Sequence, residues 1–363
     1  MKLKQVLSVG MLLLTLSVFG CGGSSSSSGT TNVYLAGNTT SATTGNPIAT
    51  YWKNGTPTNL TSGTGENMAY GITVDSSGNV YVAGETNISA GNVNGTATYW
   101  KNGTPTNLTS GTGENVASGI TVDSSGNVYV AGWTPSATAG NHVATYWKNG
   151  AATYLPSGTL DARALGIAVD SSGNVYVAGW TTSATTGNYV ATYWQNGKAT
   201  YLTDGSLSAS AQAIVVDSSG NVYTAGGIVN TTGTEMAAYW KSGVNITLTA
   251  TLTTGTLYAE ATGITVDSSG NVYAAGWTTS STTGKAIATY WKNGTAVNLT
   301  DGTHDAQASV IAISGSGDVY VAGNTISATT GNQIATYWKN GAATSLTDGT
   351  GIAQIFGIAL SSE

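Results

Sequence analysis

The chain has one cysteine, Cys21, in 363 residues, so no disulfide can form within it. It has two histidines, His142 and His304, and no His-x-x-x-His spacing, which leaves nothing from which to build a histidine-rich metal centre. Charged residues make up only 8 % of the chain, with 11 Lys and Arg in total. A nucleic-acid surface needs clustered basic residues, so that class of partner is excluded. No stretch carries a helical period of useful length. The one long apolar run, Val6–Phe19, is too short for a comfortable membrane span. What the chain has instead is Gly, Ser, Thr and Asn, the composition of a rigid β-protein working outside the cytoplasm.

The dominant feature is a repeated stretch, GITVDSSGNVYVAG at 119–132, with copies at Gly71–Gly84, Gly166–Gly179, Ala213–Gly226, Gly263–Gly276 and Val310–Gly323. Two β-branched runs flank a Ser-Ser-Gly-Asn turn, the pattern of a tight hairpin. The Val-Tyr pair begins at Val33, Val80, Val128, Val175, Val222, Val272 and Val319, at spacings of 47, 48, 47, 47, 50 and 47. Seven copies at this period indicate the blades of a β-propeller.

Each unit reads as four strands. The first is Gly-Ile-Thr-Val-Asp, called A below, and the second is Asn-Val-Tyr-Val-Ala-Gly, called B. Strand C is the Ala-Thr-Tyr-Trp-Lys-Asn-Gly run, as at 97–103 and 288–294, and D is a short strand ending near a Leu. The A–B and C–D turns are tight, and the B–C and D–A loops are longer. Four antiparallel strands with short returns make a meander blade. The propeller region, 32–363, enters at Asn32 on a strand B and leaves through Phe356–Ser361, which reads as a strand A. The last strand is therefore expected to complete the first blade and close an all-β ring of seven, which removes open sheet edges. Seven of the ten Trp lie in strand C and seven Tyr in strand B, where they are expected to fill the space between blades.

The N-terminus carries a separate message. Lys2 and Lys4 precede the apolar run, and Val18-Phe19-Gly20-Cys21 resembles a bacterial lipobox. That resemblance implies a signal peptide over 1–20, lipid on Cys21, and a Gly/Ser-rich tether over 21–31. Gly22 after the cysteine points, by the same resemblance, to an outer-membrane lipoprotein at the periplasmic face or the cell surface. Loss of Lys2 and Lys4 leaves nine basic side chains against 17 acidic ones, a mildly acidic surface.

The repeat GIxVDSSGNVYVAG is similar to bacterial β-propeller repeats of the SBBP and NHL kind, and Tyr-Trp-Lys-Asn-Gly resembles repeats of extracellular bacterial proteins. The resemblance covers about 32–363 and implies the fold. Propellers serve many functions, so it implies no catalytic residue.

Asp75-Ser-Ser-Gly-Asn79 and its copies offer one carboxylate each, too few for a calcium loop; they read as Asx turns. The informative residues are those that differ between copies. They fall in what read as D–A loops: Glu66, Asn67, Tyr70, Glu114, Asn115, Asp161, Arg163, Gln212, Tyr258, Glu260, His304, Asp305, Gln307 and Gln354. The position after strand B reads Asn38, Glu85, Trp133, Trp180, Gly227, Trp277 and Asn324. Three extra Trp beside carboxylates and amides suit a sugar or peptide site on the loop face. The candidate ligand residues are Trp133, Trp180, Trp277, Glu85, Arg163, Tyr258, His304 and Asp305. His304 with Asp305 could form a base pair of groups, and Arg163 with Asp161 a clamp.

Without a catalytic constellation, a metal centre or a cofactor, the expectation is a monomeric, non-enzymatic envelope module that binds a protein or glycan through its loop face. The alternative is a carbohydrate-binding or carbohydrate-active propeller of lyase or glycosidase type. The two part on one point: whether the loop acids and Arg163 converge.

Overall fold

The computed structural model describes residues 30–88, 94–137, 140–156, 160–242, 246–251 and 257–362, with backbone alone at 87–88, 242 and 246–251. The expected signal sequence, Cys21 and most of the tether lie outside the described residues. The described residues form 28 strands in seven four-stranded antiparallel sheets, the blades of a propeller. Blade 1 is assembled from both ends of the ring. The C-terminal strand Ala353–Ser362 pairs with Thr31–Thr40, with Val33 opposite Leu360 and Leu35 opposite Ile358.

The repeated residues explain themselves. The strand C indoles, from Trp52 to Trp338, are at most 1 % exposed, and the strand B tyrosines are at most 4 % exposed. Each buried ring contributes on the order of 2–3 kcal/mol. At the bottom of the ring, Asp75 Oδ1 accepts the backbone N–H groups of Ser77 and Asn79, so the Asp-Ser-Ser-Gly-Asn stretch is an Asx turn. The Lys-Asn-Gly turn places Asn54 at φ 49° and Gly55 at φ 84°, the pair of positive values a two-residue hairpin turn requires. The Asn54 side chain then accepts the Val33 N–H at 2.8 Å, tying the turn to strand B.

One expectation needs correction. Several residues read as D–A loop belong to strand A, which starts earlier: Glu66–Val74, Ala162–Val169, Ala209–Val216 and Ala259–Val266. The ladder continues through a β-bulge in every blade, as between Ala69 and Gly71. The glycine that closes each strand B permits this. A Cβ on Gly84 would lie 1.9 Å from the Met68 carbonyl oxygen, and one on Gly132 would lie 1.8 Å from that of Val116. Above the bulge the residues vary from blade to blade, so periodicity is lost there although the strand is not.

The bulge residue itself is Tyr70, Ser118, Leu165, Gln212, Thr262, Ser309 or Phe356, and all seven are buried. The small hydroxyls link blades: Ser118 Oγ donates toward the Ala164 and Leu165 carbonyls of the next blade. Two residues before the bulge, strand A pairs with the variable position after strand B: Met68 with Glu85, Val116 with Trp133, Arg163 with Trp180, and Glu260 with Trp277. The residues that differ between copies therefore stand opposite one another in a single tier at the top of the ring.

Candidate functional site

In blades 2–4 that tier carries a continuous arc of polar and aromatic groups. His142, the first residue of strand C in blade 3, is its hub. Its Nε2 meets Glu114 Oε2 at 3.3 Å and its Nδ1 meets Asp161 Oδ1 at 2.9 Å. Asp161 Oδ1 also accepts the His142 backbone N–H at 2.7 Å. Arg163, from blade 4, reaches back to Glu114 at 3.4 Å. Its guanidinium lies 4.6 Å from the centre of the Trp133 ring and 5.8 Å from that of Trp180. The indole N–H of Trp133 donates to Glu114 Oε1 at 3.2 Å. The Arg163 Nε is buried without an acceptor.

Charges within the arc set one another. Burial opposes a charge on His142, but the contacts with Asp161 and Glu114 prevail and push its pKa up to about 9, so both ring nitrogens donate at neutral pH. The hydrogen bond from His142 holds the Glu114 carboxyl below its ordinary range. Further round, Tyr70 donates its hydroxyl to Glu85 Oε1 at 2.5 Å. Burial pushes Glu85 up to about 7 against that hydrogen bond, with the charges of Glu114 and Glu66 adding to the rise. A carboxyl poised near neutrality is a group that can exchange a proton in the working pH range.

The His142 contacts carry a stability prediction. Its folded pKa lies above the ordinary 6.5, so its contribution is fully present below 6.5 and is lost as pH rises through about 9. Between those values the wild type should lose about 1–2 kcal/mol more stability than His142→Gln, after allowance for solvent screening. Urea unfolding across that range measures the difference, and parallel curves for the two proteins would refute it.

The structure redistributes the expected site residues. Trp133, Trp180 and Arg163 are brought together, joined by Glu114, Asp161 and His142, while Glu85 stands in the same tier with Tyr70 as its partner. Trp133 cannot be a sugar platform: it is 1 % exposed, covered by Arg163 and by the edge of the His142 ring. Trp180 is 8 % exposed, with Tyr189 stacked on it at 4.2 Å. The Arg163–Asp161 clamp is not formed, because His142 takes Asp161 and Arg163 turns to Glu114. Trp277, Tyr258, His304 and Asp305 belong to blades 6 and 7. Asp305 pairs with Lys285 at 2.9 Å and His304 Nδ1 meets Thr303 Oγ1 at 3.2 Å, so the expected His304–Asp305 partnership is not formed either. Shallow depressions lie beside Tyr258, lined mainly by apolar and hydroxyl side chains, and beside His304, lined also by Asp301 and Asp305; both belong to blades 6 and 7 rather than to the arc.

Besides Tyr258, which is exposed in blade 6, three residues that the sequence did not single out are exposed aromatics. Tyr154, Tyr189 and Tyr201 are 65 %, 45 % and 57 % exposed, all in blades 3 and 4. Tyr154 and Tyr201 end strand D, where other blades have Asn59, Asn107, Asn298 and Ser345. Those asparagines accept from strand C threonines, as Asn59 does from Thr50 at 3.2 Å. The tyrosines give up that bond to present a ring to solvent. This departure from the repeat was visible in the sequence.

Stretches 60–89, 108–137, 164–184 and 250–282 match the SBBP family, described as a beta-propeller repeat. No curated protein sequence matches the chain. Among solved structures, a polysaccharide lyase of family PL25, an ulvan lyase, superposes with a TM-score of 0.52 at 12 % identity, covering 80 % of this chain and 86 % of the other. The same lyase bound to -[GlcA(1-4)Rha3S]- gives a TM-score of 0.50 at 11 % identity over the same shares. A fucose lectin from Kordia zhangzhouensis, in complex with methyl-fucoside, matches 35 % of this chain and 98 % of its own at 14 % identity. Its TM-score of 0.27 carries no argument. At such identities the lyase superposition speaks to fold alone. Because a propeller of similar fold carries a lyase, the expectation that this chain is not an enzyme is corrected: the fold is open to catalysis, and Glu114, Asp161 and Arg163 do converge.

Proposed function

We propose that this protein is a carbohydrate-engaging propeller of the cell envelope, carried on a lipid at Cys21 and contacting an acidic glycan across the tops of blades 2–4. The observation that carries the reading is the cluster of Arg163, His142, Glu114 and Asp161, with the exposed Tyr189 stacked on Trp180 at its side and Tyr154 and Tyr201 exposed on the outer strands of the same two blades. Flat apolar rings flanking a few convergent polar groups are what a pyranose chain requires. The buried, unpaired Nε of Arg163 favours a sugar bearing a carboxylate or sulfate. Glu85, near neutrality and hydrogen-bonded to Tyr70, is the group we assign to proton exchange if the bound glycan is also cleaved.

The test is an array of neutral, uronate-bearing and sulfated polysaccharides, followed by an assay for unsaturated uronate released on incubation. Binding should favour the acidic polymers. It should weaken about fivefold for each of Tyr154→Ala, Tyr189→Ala and Tyr201→Ala, since a stacked ring contributes about 1 kcal/mol. Arg163→Ala should erase the preference for acidic over neutral chains. Full-strength binding by the triple tyrosine variant, or no binding by the folded wild type, would refute the reading.

A further inference from the structure

On the far side of the ring, blades 5 and 6 hold a second group that the arc does not use. Glu260, on strand A of blade 6, is fully buried, and its Oε2 has no hydrogen-bond partner. Gln212, at the bulge of blade 5, is 5 % exposed; its Nε2 donates to Glu260 Oε1 at 3.0 Å and to Ser210 Oγ at 3.1 Å. The Gln212 Oε1 is buried and also without a partner. One carboxylate oxygen of Glu260 and the amide oxygen of its hydrogen-bonded neighbour Gln212 are thus both buried without a partner.

A third oxygen-bearing group enters from strand C of blade 5. Glu235 folds inward over Gly227, the residue opposite Ser210 in the ladder. A Cβ on Gly227 would lie 2.4 Å from Glu235 Oε1. The other blades have Asn38, Glu85, Trp133, Trp180, Trp277 or Asn324 at this position. Blade 5 alone has no side chain there, and the vacated space is taken by a carboxylate whose charge faces Glu260. Gly227 is not among the glycines with positive φ, so backbone conformation does not demand it. Room for Glu235 does.

We propose that Glu235, Glu260 and Gln212 form a binding site for a divalent cation of the calcium class between blades 5 and 6. The donors are all oxygens, which selects a hard cation over zinc or copper. Two carboxylates balance the charge, and the amide oxygen adds a neutral ligand. Calcium accepts such irregular sets and completes its shell with water, whereas magnesium demands a near-ideal octahedron. The bound ion would satisfy both orphaned acceptors at once and fasten two neighbouring blades. The competing account is that Glu260 stays protonated and binds nothing.

Calcium chloride is titrated into the chelator-treated full chain by calorimetry, with melting followed in parallel, and terbium is used as a luminescent substitute. The expected result is one saturable site per chain, a raised melting temperature, and terbium emission sensitised by Trp277, whose indole contacts Glu260. Glu235→Gln and Glu260→Gln should each weaken binding at least about tenfold. Asp348→Asn, an exposed acid in blade 7, should change nothing. Trp277→Phe should lose the terbium emission while keeping the calorimetric binding, which places the ion. The proposal fails if the wild type shows no saturable calcium heat, if both glutamine variants bind as the wild type does, or if Trp277→Phe leaves the emission intact. Wild-type stability in Glu260→Gln, with no cation response in either protein, would establish the protonated carboxyl instead.

Discussion

Deleting residues 353–363 should abolish cooperative folding of the whole ring. The missing segment is strand A of blade 1, and it seats Ile355, Phe356 and Ile358 in a core shared with blade 7 on one side and blade 2 on the other. Burial of those three side chains contributes about 5–8 kcal/mol, which is comparable to the entire net stability of a typical domain. Its loss also leaves Thr31–Thr40 as an uncovered inner edge, and unpaired edges recruit other chains. The truncated chain is expected to aggregate, or to melt without a sharp transition, when followed by circular dichroism and light scattering. A synthetic peptide of residues 353–363 supplied in trans should restore part of the transition, because strand addition reuses the same ladder. A truncated protein that melts cooperatively within a few degrees of the full chain would show that closure is not what holds the ring together.

That closure was legible because it is written twice, in a strand B that opens the propeller and a strand A that ends it. The aromatic core was legible for a similar reason: the same Tyr and Trp return in every unit. The site was legible only in outline. Subtracting the repeat found the right tier, since Glu85, Trp133, Arg163 and Trp180 occupy matching ladder positions and Arg163 meets both indoles. It could not say which of them face solvent. Trp133 looks like a platform until Arg163 from the next blade is seen lying over it. Asp161 and Arg163 are two residues apart, yet the His142 backbone N–H and ring draw Asp161 away. Those choices are made between blades some 20 residues or more apart in sequence. Nothing in local pattern encodes them. Tyr154 and Tyr201 are a different case, because each departs from the asparagine that three other blades keep, without a structural gain in return.

Substitution of a bulge glycine should have the other large effect, and it links the frame to the site. In Gly132→Ala the new methyl would meet the Val116 carbonyl oxygen at 1.8 Å and the Trp147 ring at 3.1 Å. Neither is free to move, since Val116 is paired with Trp133 and Trp147 is 1 % exposed. Strand A above the bulge must therefore separate from strand B, at a cost of about 3 kcal/mol. It would take with it the contacts of Glu114 and Trp133 with Arg163. Gly315 provides the contrast. It sits in the bottom turn of blade 7, where the other turns have serine, and a Cβ there meets nothing within 4 Å. Gly315→Ala should leave stability unchanged or raise it by about 0.4–1 kcal/mol through the unfolded chain. Chemical unfolding of both variants, with glycan binding measured on the folded fraction, separates the effects. Gly132→Ala should lose stability and binding together, and Gly315→Ala neither. Equal stabilities for the two would mean that the bulge tolerates a side chain and that the geometry of the arc does not depend on it.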